Sequence, residues 1–442
     1  MYRPEDLEKI TSNLSRIRDE AAKIYLDKYE EPSAKEYNNV MNDIKKYIKE
    51  KELIIYGGYA QNALISKKSS SDEFYNELSR ADLEIYSPNP IKDAMGLSDI
   101  LFKKGYKYIV CEEGVHNETY KIFVNFLNFS DISYMDPHVF KNCPYILIDG
   151  LKMTHPHFML VDAFRVYADP MTSYFRLEKT FTRFTTLMKH YPFDSKAEYN
   201  QISYKTNKDT DMILRFIRKH ILHNSKLVVF GQYAFNYYAK KVDNKLLIKN
   251  NNIQVTTTEF KKDFDKILKI LKSKFGSKIS YQLYHPFFQF YDERVEFIYN
   301  GNVILKLYGN NNRCIVHNYS DKKRTYFSTF LLTMLYLLVD YNLAKINNDK
   351  IEESNILSLI VRLMSIRDKY LDARDLTVLD KSPFQEFTYE CFGEPVDPIR
   401  SARLKMQEKK DSGKKIKFRY NPTGNPGKVP SFKFDNSSGK KK

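Results

Sequence analysis

Two pieces of this sequence hold residue types that can do chemistry together. The first is Gly57-Gly58, which closes the apolar run Leu53-Ile54-Ile55-Tyr56 and opens Tyr59-Ala60-Gln61-Asn62-Ala63-Leu64. The second is Asp82-Leu83-Glu84-Ile85-Tyr86. A glycine pair at a strand end lets backbone N–H groups come close to a phosphate. Acids at alternate strand positions project from one face. Together they equip a chain for metal-assisted phosphoryl transfer. The metal that activates an attacking hydroxyl needs a third carboxylate from a neighbouring strand. Asp131, in Phe129-Ser130-Asp131-Ile132-Ser133-Tyr134, is the choice; Asp136 and Asp149, each beside turn residues, are the weaker alternatives.

These residues need a frame. Residues 1–50 show helical spacing: Leu7, Ile10, Leu14 and Ile17, then Tyr37, Val40, Met41, Ile44 and Ile48 behind Ser33 as a cap. They are expected to pack as a helical layer on the next domain. After the Ser-rich loop 66–79, residues 91–104 predict a helix stopped by Gly105, and 106–111 and 120–126 alternate as strands. The segment 150–192 is mostly helical and places Arg176, Lys179 and Arg183 on one face. That basic face suits a triphosphate, RNA or plain solvent, and spacing alone favours solvent. Residues 324–374 form an apolar helical layer, open to use as a subunit interface.

The frame repeats. Leu227-Val228-Val229-Phe230-Gly231-Gln232-Tyr233-Ala234-Phe235-Asn236 restates residues 53–62, and Asn252-Ile253-Gln254-Val255 restates 82–85. Gly57 to Gly231, Glu84 to Gln254 and Gly105 to Gly276 are separations of 174, 170 and 171 residues. Near-equal offsets in the same order indicate an internal duplication. In the second copy Asp82 becomes Asn252 and Glu84 becomes Gln254, which keeps shape and loses the anionic oxygens a hard cation needs. That copy reads as a structural or RNA-supporting pseudo-site.

Composition sets bounds. The 442 residues are 42% hydrophobic and carry a formal net charge of +16, which favours a polyanionic partner. Residues 401–442 hold 13 Lys and Arg against 3 Asp and Glu, so +10 sits in a Gly/Pro/Ser/Lys-rich tail expected to be disordered past residue 412. Its functional reading is an RNA tether, the plain one a solubilising end or a localisation signal. Four scattered cysteines argue against a disulfide framework or a zinc site and suit a reducing compartment. The apolar run 330–339 is too short to span a bilayer, so no membrane association is expected.

Residues 53–64 with 81–86 resemble the DNA polymerase beta-like nucleotidyltransferases. More narrowly, residues 54–62, Asp82/Glu84, 129–135 and 158–183 resemble the poly(A) polymerase catalytic subunits of large cytoplasmic DNA viruses, of the mimivirus type. One departure is the gap from Gly58 to Asp82, 24 residues and longer than usual in that superfamily. The resemblance covers most of residues 40–400 and implies an α/β (α+β) fold of two duplicated nucleotidyltransferase-like units, small mixed sheets flanked by helices; the basic tail lies outside it. The expected divisions are 1–50 (helices), 51–195 (catalytic unit), 196–395 (degenerate unit with its helical layer) and 396–442 (tail).

It further implies template-independent adenylation of RNA 3′ ends from ATP with two Mg²⁺ or Mn²⁺ ions, in a cytoplasmic viral homodimer. Asp82, Glu84 and Asp131 are then the metal-binding, catalytic set. Gly57, Gly58 and Tyr59 hold the triphosphate through their backbone, with Lys179 added. Nothing in the residues themselves reads the base. CCA-adding, oligoadenylate-forming or uridylyl transfer remain open, as does a catalytically inactive RNA-binding scaffold.

Overall fold

The N-terminal segment carries two apolar stripes, and only one is buried. In the computed structural model, helix α1 (Pro4–Lys28) keeps Leu7, Leu14, Ile17 and Ile24 about half exposed. Helix α2 (Ala34–Glu50), capped by Ser33 Oγ on Glu36 N–H, buries Val40, Met41, Ile44 and Ile48. The expected helical layer is therefore α2 alone. The structure describes residues 2–29, 32–75, 79–116, 118–204, 206–284, 286, 291–310, 314–394, 398–413 and 417–422.

Next come β1 (Ile54–Tyr56), α3 (Gly57–Ser66), β2 (Leu83–Ser87), α4 (Pro90–Lys103), β3 (Val110–Glu113), β4 (Thr119–Val124), β5 (Leu127–Tyr134), α5 (Pro137–Asn142), β6 (Tyr145–Ile148) and β7 (Leu151–Thr154). The chain continues with α6 (Pro156–Ala168), α7 (Pro170–His190), α8 (Lys208–Ile217), β8 (Val228–Phe230), α9 (Gly231–Ala239), β9 (Ile253–Thr257) and α10 (Phe260–Phe275). After these are β10 (Ile279–Tyr284), β11 (Arg294–Tyr299), β12 (Asn302–Gly309), β13 (Ile315–Ser320), β14 (Thr325–Ser328), α11 (Phe330–Ile346), α12 (Lys350–Asp372) and β15 (Cys391–Phe392). The described end of the chain is α13 (Pro398–Asp411) and β16 (Arg419–Tyr420).

These elements form two compact units, residues 1–155 with 398–442, and residues 156–397. The boundary lies at 155/156 rather than 195/196, because α6 packs on α7 and α11. Each unit holds one eight-stranded mixed sheet. The orders are β16-β3-β4-β5-β2-β1-β7-β6 and β10-β11-β12-β9-β8-β14-β13-β15. Apart from the added edge strands β16 and β15, the second order is the first one restated, so the duplication read from the sequence is a duplication of topology.

Two expectations change. Within the stretch expected to be disordered past residue 412, β16 pairs with β3, with Tyr420 buried and its hydroxyl donating to Asp99 at 2.7 Å; α13 is helical just before it. An apolar residue with a buried acceptor offsets the ordering of that short stretch. Most of residues 409–442, where the tether is read, lies outside the described residues, at 414–416 and 423–442. Cys314 and Cys391, 77 residues apart, form a disulfide because β13 and β15 pair beside it, a contact that sequence spacing does not reveal. Helix α11 is buried almost all round inside its own unit, against α6 and α12, which explains its unbroken apolar run without a subunit interface.

Candidate active site

Strand β1 passes directly into α3, and the turn depends on glycine. Gly57 has φ +69°, and a Cβ there would lie 1.6 Å from Glu84 Oε2. Gly58 N–H donates to the same oxygen at 2.8 Å. A carboxylate thus sits at the positive end of α3, where helix N–H groups lack partners.

Register then builds a row of side chains across four strands. Tyr56 on β1 pairs with Glu84 on β2, Glu84 with Asp131 on β5, and Asp131 with Lys121 on β4. Asp82 precedes β2 and shares the Glu84 face, while Leu83 and Ile85 are fully buried on the other. Lys121 Nζ lies 2.5 Å from Asp131 Oδ2, with side chains 29% and 16% exposed. Asn128 Nδ2 donates to Asp131 Oδ1 at 2.9 Å and to Asp82 Oδ2 at 3.1 Å. Asn128 and Asp131 share a face despite their odd spacing because the β4–β5 register shifts between Ile122 and Phe123.

The next row, Tyr86, Ser133 and Thr119, forms a floor. Ser133 Oγ meets Tyr56 Oη at 2.8 Å and Thr119 Oγ1 at 2.9 Å, and the Tyr56 and Tyr86 rings stack at 3.9 Å.

The donor set is all oxygen and anionic, which fits a hard divalent cation such as Mg²⁺ or Mn²⁺. Among the described residues no three His, Cys, Asp or Glu side chains are gathered about one point. Asp82 and Asp131 face the same amide nitrogen, and Glu84 is engaged at Gly58.

The remaining sequence candidates separate. The Tyr59 ring lies 5.1 Å from Lys45 Nζ and lines an open cleft of about 640 Å³ between α2 and α3, with Asn38, Asn42 and Asp149 also on its walls. Asp136 caps α5 by accepting from His138 N–H at 2.8 Å. Lys179 is an exposed residue of α7, in the other compact unit, and is not part of the row. Asn128 and Lys121 were missed. Neither stands in a motif, and only the strand register brings them to the acids.

The second unit shows the same frame with different chemistry. Its row is Phe230, Gln254, Lys306 and Glu296, in the places of Tyr56, Glu84, Asp131 and Lys121. Gly231 has φ +62°, and its Cβ would lie 1.7 Å from Gln254 Oε1. Gln254 Nε2 donates to Asp340 of α11 at 2.6 Å, and Tyr308 Oη reaches the other Asp340 oxygen at 3.2 Å. Lys306 faces Glu296 at 3.7 Å. Gln232 exchanges hydrogen bonds with Asn251. A carboxylate from the unit's own helix, Asp340, takes up the Gln254 amide and the Tyr308 hydroxyl. The repeated asparagine is structural in both units: Asn62 accepts from Phe74 and Tyr75 N–H, and Asn236 brackets Ile248.

Comparison with known proteins agrees with this frame. Residues 42–173 match the family model "Poly(A) polymerase catalytic subunit". Residues 185–442 match "APMV, Putative poly(A) polymerase, catalytic subunit, C-terminal". The chain is 31% identical, over 92% of its length and 75% of the relative's, to the "Putative poly(A) polymerase catalytic subunit" of Acanthamoeba polyphaga mimivirus. It is 30% identical to the protein of the same description from African swine fever virus (strain Badajoz 1971 Vero-adapted), over 37% of this chain and 35% of that one. The crystal structure of the Megavirus polyadenylate synthase superposes with a TM-score of 0.90 at 29% identity, covering 97% of this chain and 88% of that one. With both halves matched and the fold superposed along almost its whole length, this chain belongs to the viral poly(A) polymerase catalytic subunit family.

Proposed function

We propose that this poly(A) polymerase catalytic subunit adds adenylate from ATP to RNA 3′ ends, releasing pyrophosphate, at the face carrying Asp82, Glu84 and Asp131. The observation that supports the reading is the strand register. It sets Glu84 beside Asp131, with Asp82 adjoining, next to a glycine turn in one unit, while the other unit carries Asn252, Gln254 and Lys306 in those places. Enzymes of this family generally use divalent metals; two ions, Mg²⁺ or Mn²⁺, suit this set. When bound, such ions activate the attacking 3′-hydroxyl and neutralise charge on the triphosphate.

In this reading Asp131, Asp82 and Glu84 would hold the ion at the attacking oxygen, and Asp82 and Glu84 the ion at the triphosphate. The N-terminal turn of α3 would offer the N–H groups of Gly57 and Tyr59 to phosphate oxygens, and that of Gly58 once Glu84, which accepts it here, turns to the ion. Lys121 balances the Asp131 charge while no metal is bound.

The test is a labelled RNA primer incubated with each NTP singly. Extension with ATP alone, abolished in Asp82→Ala with an unchanged melting temperature, supports the reading. Preference for CTP or UTP moves the chain to another nucleotidyltransferase class, and no extension at all makes it a scaffold.

A homodimer is part of the same proposal, and α1 is where we place its contact. Leu7, Ile10, Leu14, Ile17, Ala21 and Ile24 follow a strict 3-4 spacing, the seam of a coiled coil, on a helix exposed along most of its length. Light scattering on Leu14→Asp/Ile17→Asp checks this: a dimer that survives the change removes α1 from the interface. The relatives are viral, so the cytoplasm of an infected cell is the proposed site of action. Among the described residues no helix is long and apolar enough to cross a membrane.

A further inference from the structure

We infer that Asn128 is a positioning residue for adenylyl transfer: one amide nitrogen holds Asp82 and Asp131 in the orientation from which they take a divalent cation. The inference rests on the function proposed for the carboxylate face. Three observations carry it.

The first is the contact itself. Nδ2 donates to Asp131 Oδ1 at 2.9 Å and to Asp82 Oδ2 at 3.1 Å, so a single neutral group joins an acid on β5 to one that leads into β2. Lys121 engages only the other oxygen of Asp131. The amide cannot be reversed, because Oδ1 would then face two carboxylates, and Oδ1 is buried without a hydrogen-bond partner. A buried carbonyl left unsatisfied costs free energy. That cost is borne at a place where the amide nitrogen is needed.

The second is backbone. Regular alternation would put Asn128 on the face opposite Asp131. The register shift between Ile122 and Phe123 turns it to the acidic face.

The third comes from the duplicated unit. The shift is kept there, between Phe297 and Ile298, where Ile298 pairs with Val303 as Phe123 pairs with Asn128. The backbone device survives, but its residue is valine, and the acids are Asn252, Gln254 and Lys306. The amide is absent where the carboxylates are absent. A purely structural asparagine has no reason to follow the acids.

Partners that orient metal ligands typically contribute 10–100-fold to metal affinity or activity. The experiment is Mn²⁺ titration of the full chain, read by electron paramagnetic resonance, alongside kcat and KM for ATP. Wild type is compared with Asn128→Val, the residue the other bulge tolerates, and with Asn128→Ser, which is too short to bridge. Both variants are expected to weaken Mn²⁺ binding about tenfold or more. They should lower kcat, leave KM for ATP within about twofold and melt as wild type. Unchanged or tighter Mn²⁺ binding in a folded variant overturns the inference. If Val unfolds the chain, Ser decides it. Asp82→Ala separates the two readings: if it still binds Mn²⁺ and extends RNA, the carboxylate face is wrong. If it loses both while Asn128→Val and Asn128→Ser lose neither, the Asn128 inference alone falls.

Discussion

Replacing Gly57 by alanine perturbs the site by one methyl group, and the second unit supplies its own control in Gly231. At Gly57 the added Cβ meets Glu84 Oε2 at 1.6 Å, so the carboxylate must retreat by at least about 1.4 Å to reach the 3.0 Å that real contacts observe. The end of a glutamate swings easily, so this clash moves the acid rather than the backbone. Two stability costs remain. Holding a non-glycine residue at φ +69° costs about 1–2 kcal/mol. The Gly58 N–H bond to a charged oxygen contributes about 1.5–3 kcal/mol. A loss of about 3 kcal/mol lowers the melting temperature by roughly 6–12 °C in a unit of this size.

Gly231→Ala carries the same strain, and it displaces Gln254 from Asp340, so its melting loss should be similar. Activity is where the two part. A misplacement of about 1 Å at a reacting centre costs on the order of 100-fold. Primer extension at 25 °C should therefore fall about 100-fold in Gly57→Ala and stay within about threefold of wild type in Gly231→Ala. Wild-type extension by a folded Gly57→Ala protein would remove Glu84 from the mechanism. Equal losses in the two variants would mean that stability, not placement, was measured.

Further outcomes are expected. Asn252→Asp/Gln254→Glu/Lys306→Asp, placed in the Asp82→Ala background, should restore no activity and should lower the melting temperature, because the new acids face Asp340; extension above background refutes the structural reading of that copy. Burial depresses the His157 pKa below its usual 6.5, so its neutral form is favoured in the folded state. Its stabilising contribution is complete above pH 6.5 and is lost as pH falls towards the lowered folded value. His157→Gln should flatten melting temperature against pH below about 6.5. Reductant should lower the melting temperature through the Cys314–Cys391 link, which closes a loop of 77 residues and contributes up to about 4 kcal/mol in the chain-entropy model. Non-reducing peptide mapping checks that the link is there.

The glycine turn, the Asp-x-Glu pair and the duplication were legible because each is local: strand period, a positive-φ residue and a fixed offset all lie along the chain. Asp131 could be chosen because it stands in a short strand with the right alternation. Asn128 and Lys121 could not, since a register shift has no residue signature and cross-strand pairing is a long-range fact. The Cys314–Cys391 link and the pairing of Arg419–Tyr420 with β3 were hidden for the same reason. In the sequence Asp340 merely follows the apolar run 330–339, and only its hydrogen bond from Gln254 gives it a role.

The cross-strand ion pair has a consequence of its own. Where one sheet sets Lys121 against Asp131, the other sets Glu296 against Lys306, the same two places with polarity reversed. The fold asks only that the two signs be opposite; which strand carries the anion is left free, and that freedom is where the twin sheets diverged in purpose. A sheet built this way tolerates inversion of its dipole as a single exchange. Lys121→Asp/Asp131→Lys should accordingly yield a protein that melts near wild type and transfers nothing, a folded blank made by moving no net charge.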